Sequence, residues 1–384
     1  MIFMGNKRPK ANTPPRLMVV GGGTGGHVYP GVAIAEAWLQ RVPGGEVVFV
    51  GSPKGLEARV IPALGHPFVP VEARRLKNAG LVERLKSLLR MPAAIWEGRR
   101  VVRRHDPTAV IGVGGYVSGP VVLAASISGR PCAVAEQNAR PGLTNRILSR
   151  FVQRIFTAFP EAIARFNARK VRELGNPVRR AFLDAVSGGR VESDKRHILV
   201  LGGSQGARAL NEMLPAAFAT LLESHPDLRI THQTGRDKDA PVRAAYAELG
   251  LDDIDVCPFI DDMAAMMATA DLVVARAGAT TVAELAVIGC PALFVPFPYA
   301  ADDHQAANAA SLVTAGAALM ERESALDSAR LATLLSELLA APGRLGTMSE
   351  AALSRGRPDA ANDIVDSLCE LAGLENQRAG KAAA

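Results

Sequence analysis

Apolar residues in this chain fall in short unbroken runs, several of them closed by glycine and followed by a stretch with helical spacing. The first run, Leu17-Met18-Val19-Val20, breaks into Gly21-Gly22-Gly23-Thr24-Gly25-Gly26-His27 before an amphipathic segment at residues 32–39. Runs without polar alternation belong to strands covered on both faces, and the glycines mark a tight loop into a helix. The same order returns at Val110-Ile111-Gly112-Val113-Gly114-Gly115, at residues 197–207 and at residues 272–284. Further strands are expected at residues 47–50, 131–135, 229–233 and 255–256. Strands alternating with helices predict an α/β protein of two doubly wound parallel sheets with a cleft between them.

The pattern breaks at Gly175-Asn176-Pro177-Val178-Arg179 and stays polar to Lys195. This places one domain at residues 17–178 and a second at 179–358. A last amphipathic helix is expected over residues 359–372, with Ile364, Val365, Leu368 and Leu371 on one face. Residues 1–16 and 373–384 read as disordered tails.

A length of 384 residues suits two domains, and 48% apolar with 21% charged residues is ordinary for a soluble globular protein. Cys132, Cys257, Cys290 and Cys369 are far apart, suggest neither a disulfide framework nor a zinc site, and fit a reducing cytoplasm. The polar start lacks an apolar signal core, and the apolar run 285–301 is cut by Gly289, Pro291, Pro296 and Pro298. Neither is read as a targeting or spanning segment.

The net charge of +6 hides an asymmetry. Residues 1–178 carry 26 Lys and Arg against 10 Asp and Glu, giving +16; residues 179–384 carry 18 against 28, giving −10. Ten of the basic residues lie in 74–104, interleaved with Leu76, Leu81, Leu85, Leu88, Leu89 and Trp96. One reading is an ordinary helix with a solvated basic face. The other is a surface that rests on anionic lipid, with apolar side chains entering the interface. Nucleic acid is disfavoured because stacking aromatics are nearly absent there.

The glycine loops carry the candidate chemistry. Glycines admit φ > 0 and close approach, and the helix beyond offers its positive end to an anion or a sugar oxygen. Gly21, Gly23 and Gly26 fit G-x-G-x-x-G, but a nicotinamide site also needs an acid closing the second strand. Glu46 has the spacing and stands at the wrong end. Asp237-x-Asp239 and Asp253-x-Asp255 match a metal-binding pair in letters only, away from the glycine turns, so no catalytic metal and no cofactor is expected. His27 is the candidate general base by type and place, its plainer reading being a hydrogen-bonder at a helix start.

The stretches GGTGGH (Gly22 to His27), GGYVSGP (Gly114 to Pro120), EQN (Glu136 to Asn138) and GNPVR (Gly175 to Arg179) occur in that order. GGSQGA (Gly202 to Ala207), FIDDM (Phe259 to Met263), RAGA-T (Arg276 to Thr281) and DDHQ-AN (Asp302 to Asn308) follow. Together they make the chain similar to the MurG family over roughly residues 17–370. Ala135 departs from it where the family often has histidine, and the longer N-terminus lies outside the family core.

The resemblance implies the GT-B fold: two Rossmann-like domains facing a deep cleft, with the final helix returning to the first. It implies an inverting hexosyltransferase of peptidoglycan synthesis that moves N-acetylglucosamine from UDP-N-acetylglucosamine to the 4-hydroxyl of the muramyl unit of lipid I, giving lipid II. By motif, Ile260 contacts uracil, Glu284 the ribose, and Ser204 with Arg179 the diphosphate. Ala279, Thr280, Thr281, Val282 and Ala283 present a helix start to that diphosphate, and Gln305 binds sugar hydroxyls. Thr24, Gly25, Gly26 and Asn138 line the reaction centre. The same resemblance implies the cytoplasmic face of the inner membrane, an anionic lipid surface and other cell-wall synthesis proteins as partners. A UDP-N-acetylglucosamine epimerase shares fold and donor and stands as the alternative.

Overall fold

A computed structural model describes residues 13–72, 81–187, 196–203 and 205–374, with residues 81–90 and Ser187 as backbone only. Expectations for residues 1–12 and 375–384, for Ser204, and for the side chains of Leu76, Leu81, Leu85, Leu88 and Leu89 lie outside the described residues. The chain forms two compact units, residues 1–179 with 358–384, and residues 180–357.

In the first unit the order is β1 (Arg16–Gly21), α1 (Gly25–Arg41), β2 (Glu46–Gly51), α2 (Glu57–Ala63), β3 (Phe68–Pro70) and α3 (Leu81–His105). There follow β4 (Ala109–Gly114), α4 (Ser118–Ile127), β5 (Cys132–Glu136), α5 (Leu143–Leu148), β6 (Arg154–Thr157) and β7 (Val171–Glu173). Among the described residues these strands make a seven-stranded parallel sheet ordered β3-β2-β1-β4-β5-β6-β7. The chain reverses direction across the sheet between β1 and β4, where open α/β sheets bind their ligands.

The unbroken apolar run of β1 divides by period two. Leu17 and Val19 enter a core with α1, while Met18 and Val20 enter the opposite core with α4 and the end of α3. The segment 32–39 is buried on most sides rather than along one stripe. The reason is α14 (Ala360–Ala372), which covers α1 from outside with Ile364, Val365 and Leu368.

The second unit begins with α6 (Arg180–Ser187), β8 (His197–Leu201), α7 (Arg208–Ser224), β9 (Arg229–Gln233), α8 (Asp239–Ala247) and β10 (Asp255–Cys257). It continues through α9 (Met263–Thr269), β11 (Leu272–Ala275), α10 (Ala279–Ile288), β12 (Ala292–Phe294) and α11 (His304–Thr314). β13 (Ala318–Met320), α12 (Ser328–Ala340) and α13 (Arg344–Arg355) complete it. Its described strands form a six-stranded parallel sheet ordered β10-β9-β8-β11-β12-β13, with the reversal between β8 and β11.

The expected tail from residue 373 is folded at its start. Gly373 takes φ 70°, and the Leu374 N–H donates to Cys369 O at 2.9 Å. That left-handed helix end turns Leu374 into the core, a hydrophobic closure the tail reading overlooked. At the other end Arg16 already belongs to β1, ion-paired to Glu46. Glu46 is therefore committed at the amino end of the strands, opposite the glycine loop.

Candidate active site

In the first unit the loops after β1 and β4 lie backbone against backbone. The Gly22 N–H donates to Gly114 O at 3.2 Å, and the β1–β4 register slips between Val20 and Gly21. A Cβ on Gly21 would meet Gly114 O at 2.2 Å, and one on Gly115 would meet Gly22 O at 2.5 Å. Only glycine permits this approach, which brings both loops to the switch point. Ser118 Oγ, within 2.8 Å of both Val20 O and Gly114 O, ties them from below.

Thr24 precedes α1 in extended conformation, with its Oγ1 3.4 Å from His27 Nδ1. The half-buried His27 ring lies against Gly114, where an added Cβ would come within 2.6 Å of Cδ2 and 2.8 Å of Nε2. Thr24, Gly25, Gly26 and His27 thus stand together at the carboxyl edge of β1. Asn138 stands at the carboxyl edge of β5. Its backbone N–H and Nδ2 donate to Glu136 Oε1 at 3.1 and 3.3 Å. Glu136 also accepts from Gly142 N at 3.0 Å and Asn145 Nδ2 at 2.9 Å. Burial pushes its carboxyl above the ordinary carboxylate range, opposed by these donors. Arg179 stays with the first unit, its guanidinium 4.2 Å over the Tyr29 ring of α1.

In the second unit the expected donor residues also collect at the carboxyl edge. Ala279 to Glu284 form the first turns of α10 directly after β11, and Glu284 is 5% exposed. Ile260 is buried beyond β10, just before Asp262, whose Oδ1 caps α9 through the Ala265 N–H at 3.0 Å. Gln305 in α11 accepts the Phe297 N–H on Oε1 at 2.8 Å, fastening the loop after β12. Asp237 lies in a turn and Asp239 opens α8, while Asp255 pairs with β9 in the sheet. Among the described residues no group of three or more His, Cys, Asp or Glu could hold a metal ion.

One residue of this region went unnoticed in the sequence. Glu57, at the start of α2 and 2% exposed, accepts from Gly23 N at 2.7 Å and Ser52 N at 2.8 Å. Its signal was the run G-S-P-K-G-L-E, a strand-end glycine and a second glycine before an acid at a helix start. Elsewhere in the first unit, Arg146, Arg150, Arg165 and Lys170 line a cavity of about 510 Å³. Exposed Leu143, Ile147 and Phe151 lie on or just beyond α5 beside it.

Two doubly wound units, each gathering polar residues at the reversal of its own sheet, define the GT-B class. The Glycosyltransferase family 28 N-terminal domain matches residues 17–157, and the Glycosyltransferase family 28 C-terminal domain matches residues 197–364. A relative from Anaeromyxobacter sp. (strain Fw109-5) is 48% identical over 93% of both chains. It is named UDP-N-acetylglucosamine–N-acetylmuramyl-(pentapeptide) pyrophosphoryl-undecaprenol N-acetylglucosamine transferase. The crystal structure of Acinetobacter baumannii MurG superposes with a TM-score of 0.74 at 35% identity, covering 93% of this chain and 100% of that one. The chain belongs to the MurG family. A UDP-N-acetylglucosamine 2-epimerase structure superposes at a TM-score of 0.67 with 15% identity, covering 96% of this chain and 99% of that one, a likeness of fold alone.

Proposed function

We infer that the protein transfers N-acetylglucosamine from UDP-N-acetylglucosamine to the 4-hydroxyl of the muramyl unit of lipid I, giving lipid II. The observation that carries this reading is the 48% identity to a transferase of that name along nearly the whole chain. The epimerase likeness, at 15% identity, brings no comparable sequence agreement.

His27 takes the proton of the acceptor hydroxyl as it attacks the anomeric carbon, with Thr24, Gly25, Gly26 and Asn138 around it. The departing UDP carries new negative charge. The positive end of α10 at Ala279 to Ala283 stabilises it, together with Ser204 and Arg179. Glu284 holds the ribose, Ile260 the uracil and Gln305 the sugar hydroxyls. Incubation with UDP-N-acetylglucosamine and a lipid I analogue tests the whole: UDP and disaccharide-linked product are expected together. UDP without product, or an epimerised sugar, would overturn the reading.

Among the described residues no helix is long and apolar enough to cross a membrane. An acceptor with a polyprenyl tail stays in the bilayer, so in this reading the enzyme comes to the inner membrane's cytoplasmic face. Three features support docking by the first unit: its excess of basic residues, the exposed Trp96 and the basic cavity beside α5. Trp96 is 62% exposed, with the Arg100 guanidinium 4.9 Å from its ring centre. Aromatic, apolar and cationic side chains side by side suit an anionic interface.

A further inference from the structure

Glu57 is not assigned by the family motifs, yet its carboxylate is built into the first glycine loop. A Cβ on Gly22 would come within 2.1 Å of its Cδ, one on Gly55 within 2.2 Å of Oε2, and one on Gly51 within 2.5 Å of Cγ. Three glycines from two loops thus leave the space in which this side chain sits, space that a side chain at any of the three would contest. Inside that space the two oxygens divide their work. Oε2 takes the Gly23 N–H of the β1 loop and Oε1 takes the Ser52 N–H of the β2 loop.

The consequence runs along the loop. Gly23 lies directly before Thr24, whose carbonyl accepts the His27 and Val28 N–H groups at 3.1 Å each. Gly22 is held from the opposite side by Gly114, and the His27 ring rests on that same glycine. The loop is therefore clamped between α2 and the β4 loop. A phosphate seated on this loop would also face a carboxylate that already occupies the Gly23 N–H, so the clamp favours a neutral sugar hydroxyl there.

We propose that Glu57 is a positioning residue, holding the first glycine loop so that Thr24 and His27 meet the acceptor hydroxyl. This rests on the transferase reading. Glu57→Gln preserves volume but turns one acceptor into an NH₂, which must then face a backbone N–H. The variant should lose about ten- to a hundredfold in kcat, as expected for a reacting group displaced by less than an ångström. UDP affinity and the KM for UDP-N-acetylglucosamine should stay within about twofold, because Ile260, Glu284 and Gln305 belong to the other unit and Arg179 is held by Tyr29 rather than by Glu57. Glu57→Asp keeps the charge and can reach only one of the two N–H groups, so its kcat should fall between.

Amide hydrogen exchange supplies a readout independent of activity. The Gly23 and Ser52 amides should be protected in the wild type and exchange at least about tenfold faster in Glu57→Gln, with β4 and β5 unchanged. Normal kcat in a folded Glu57→Gln protein overturns the proposal. So does a parallel fall of kcat, UDP affinity and thermal stability in both variants, which would mark Glu57 as a general fold residue. If the wild type makes no product while the exchange pattern holds, the transferase reading fails and the loop clamp survives.

Discussion

Placing a methyl group on Gly114 perturbs one neighbour, the His27 ring. The new Cβ would lie 2.6 Å from His27 Cδ2, whereas ordinary contact begins at 3.4 Å. The ring must therefore retreat by about 0.8 Å, since the Gly114 backbone is itself locked against Gly21 and Gly22. If His27 is the base, a displacement near an ångström costs roughly a hundredfold in kcat. Backbone strain accompanies it, because φ at Gly114 is +100°, and a non-glycine residue there costs about 1–3 kcal/mol. Gly65→Ala separates the two effects: its φ is +78° and nothing lies within 4 Å of the added carbon. Both variants should lose a few degrees of Tm, and only Gly114→Ala should lose activity. The assay is transfer of labelled N-acetylglucosamine to a soluble lipid I analogue, with His27→Ala as the floor, about 10²–10⁴ below wild type. A Gly114→Ala enzyme with normal kcat and the Tm of Gly65→Ala would show that the position of His27 is immaterial to catalysis.

Other expectations follow from the same geometry. Glu284→Ala should weaken UDP-N-acetylglucosamine binding by about 1–3 kcal/mol, and calorimetry showing unchanged affinity would remove the ribose assignment. Vesicle sedimentation should show binding to anionic and not neutral lipid, weakened by salt. The changes Trp96→Ala with Arg100→Glu, or Arg146→Glu with Arg150→Glu, should release the protein; equal binding to neutral vesicles refutes basic-patch docking. Acid should destabilise the second unit through His232, which is fully buried between Tyr246 Oη at 2.9 Å and Asn211 Oδ1 at 3.1 Å. Burial lowers its pKa from 6.5 to about 3. The unfolded chain then binds the proton first, so stability is complete above pH 6.5 and falls as pH drops toward 3, by about 3 kcal/mol at pH 4.5. Urea unfolding of wild type and His232→Gln at both pH values checks this, and equal acid sensitivity in the two would refute it.

Most strands that position the site were legible as short apolar runs, and those of β1, β2, β4 and β8 end in glycine. β1, β2, β4, β5, β8 and β11 are covered on both faces, and their composition says so. The edge strands β3, β7 and β13 were not read, being three residues each, too short for a run to stand out. Glycines signalled the site loops but not what they accommodate. Nothing local shows that Gly22 and Gly51 face one carboxylate, since that pairing joins loops from two different βα units. Glu136 was visible as a polar residue closing β5, whereas its partner Asn145 reaches it only after the chain turns through α5.

The placement of α14 has a consequence for how the protein is made. Residues 180–357 are contiguous, so the second unit holds its whole core as soon as that stretch has left the ribosome. The first unit does not, although it is synthesised earlier. Its α1 face waits for Ile364, Val365, Leu368 and Leu374, and the Arg41–Asp366 ion pair bridges positions 325 apart in sequence. During translation Trp38 and its apolar neighbours therefore lack their final cover until the last helix emerges. A chain truncated after residue 357 would carry a finished second unit with an unfinished first, open to proteases and chaperones on that one helix face.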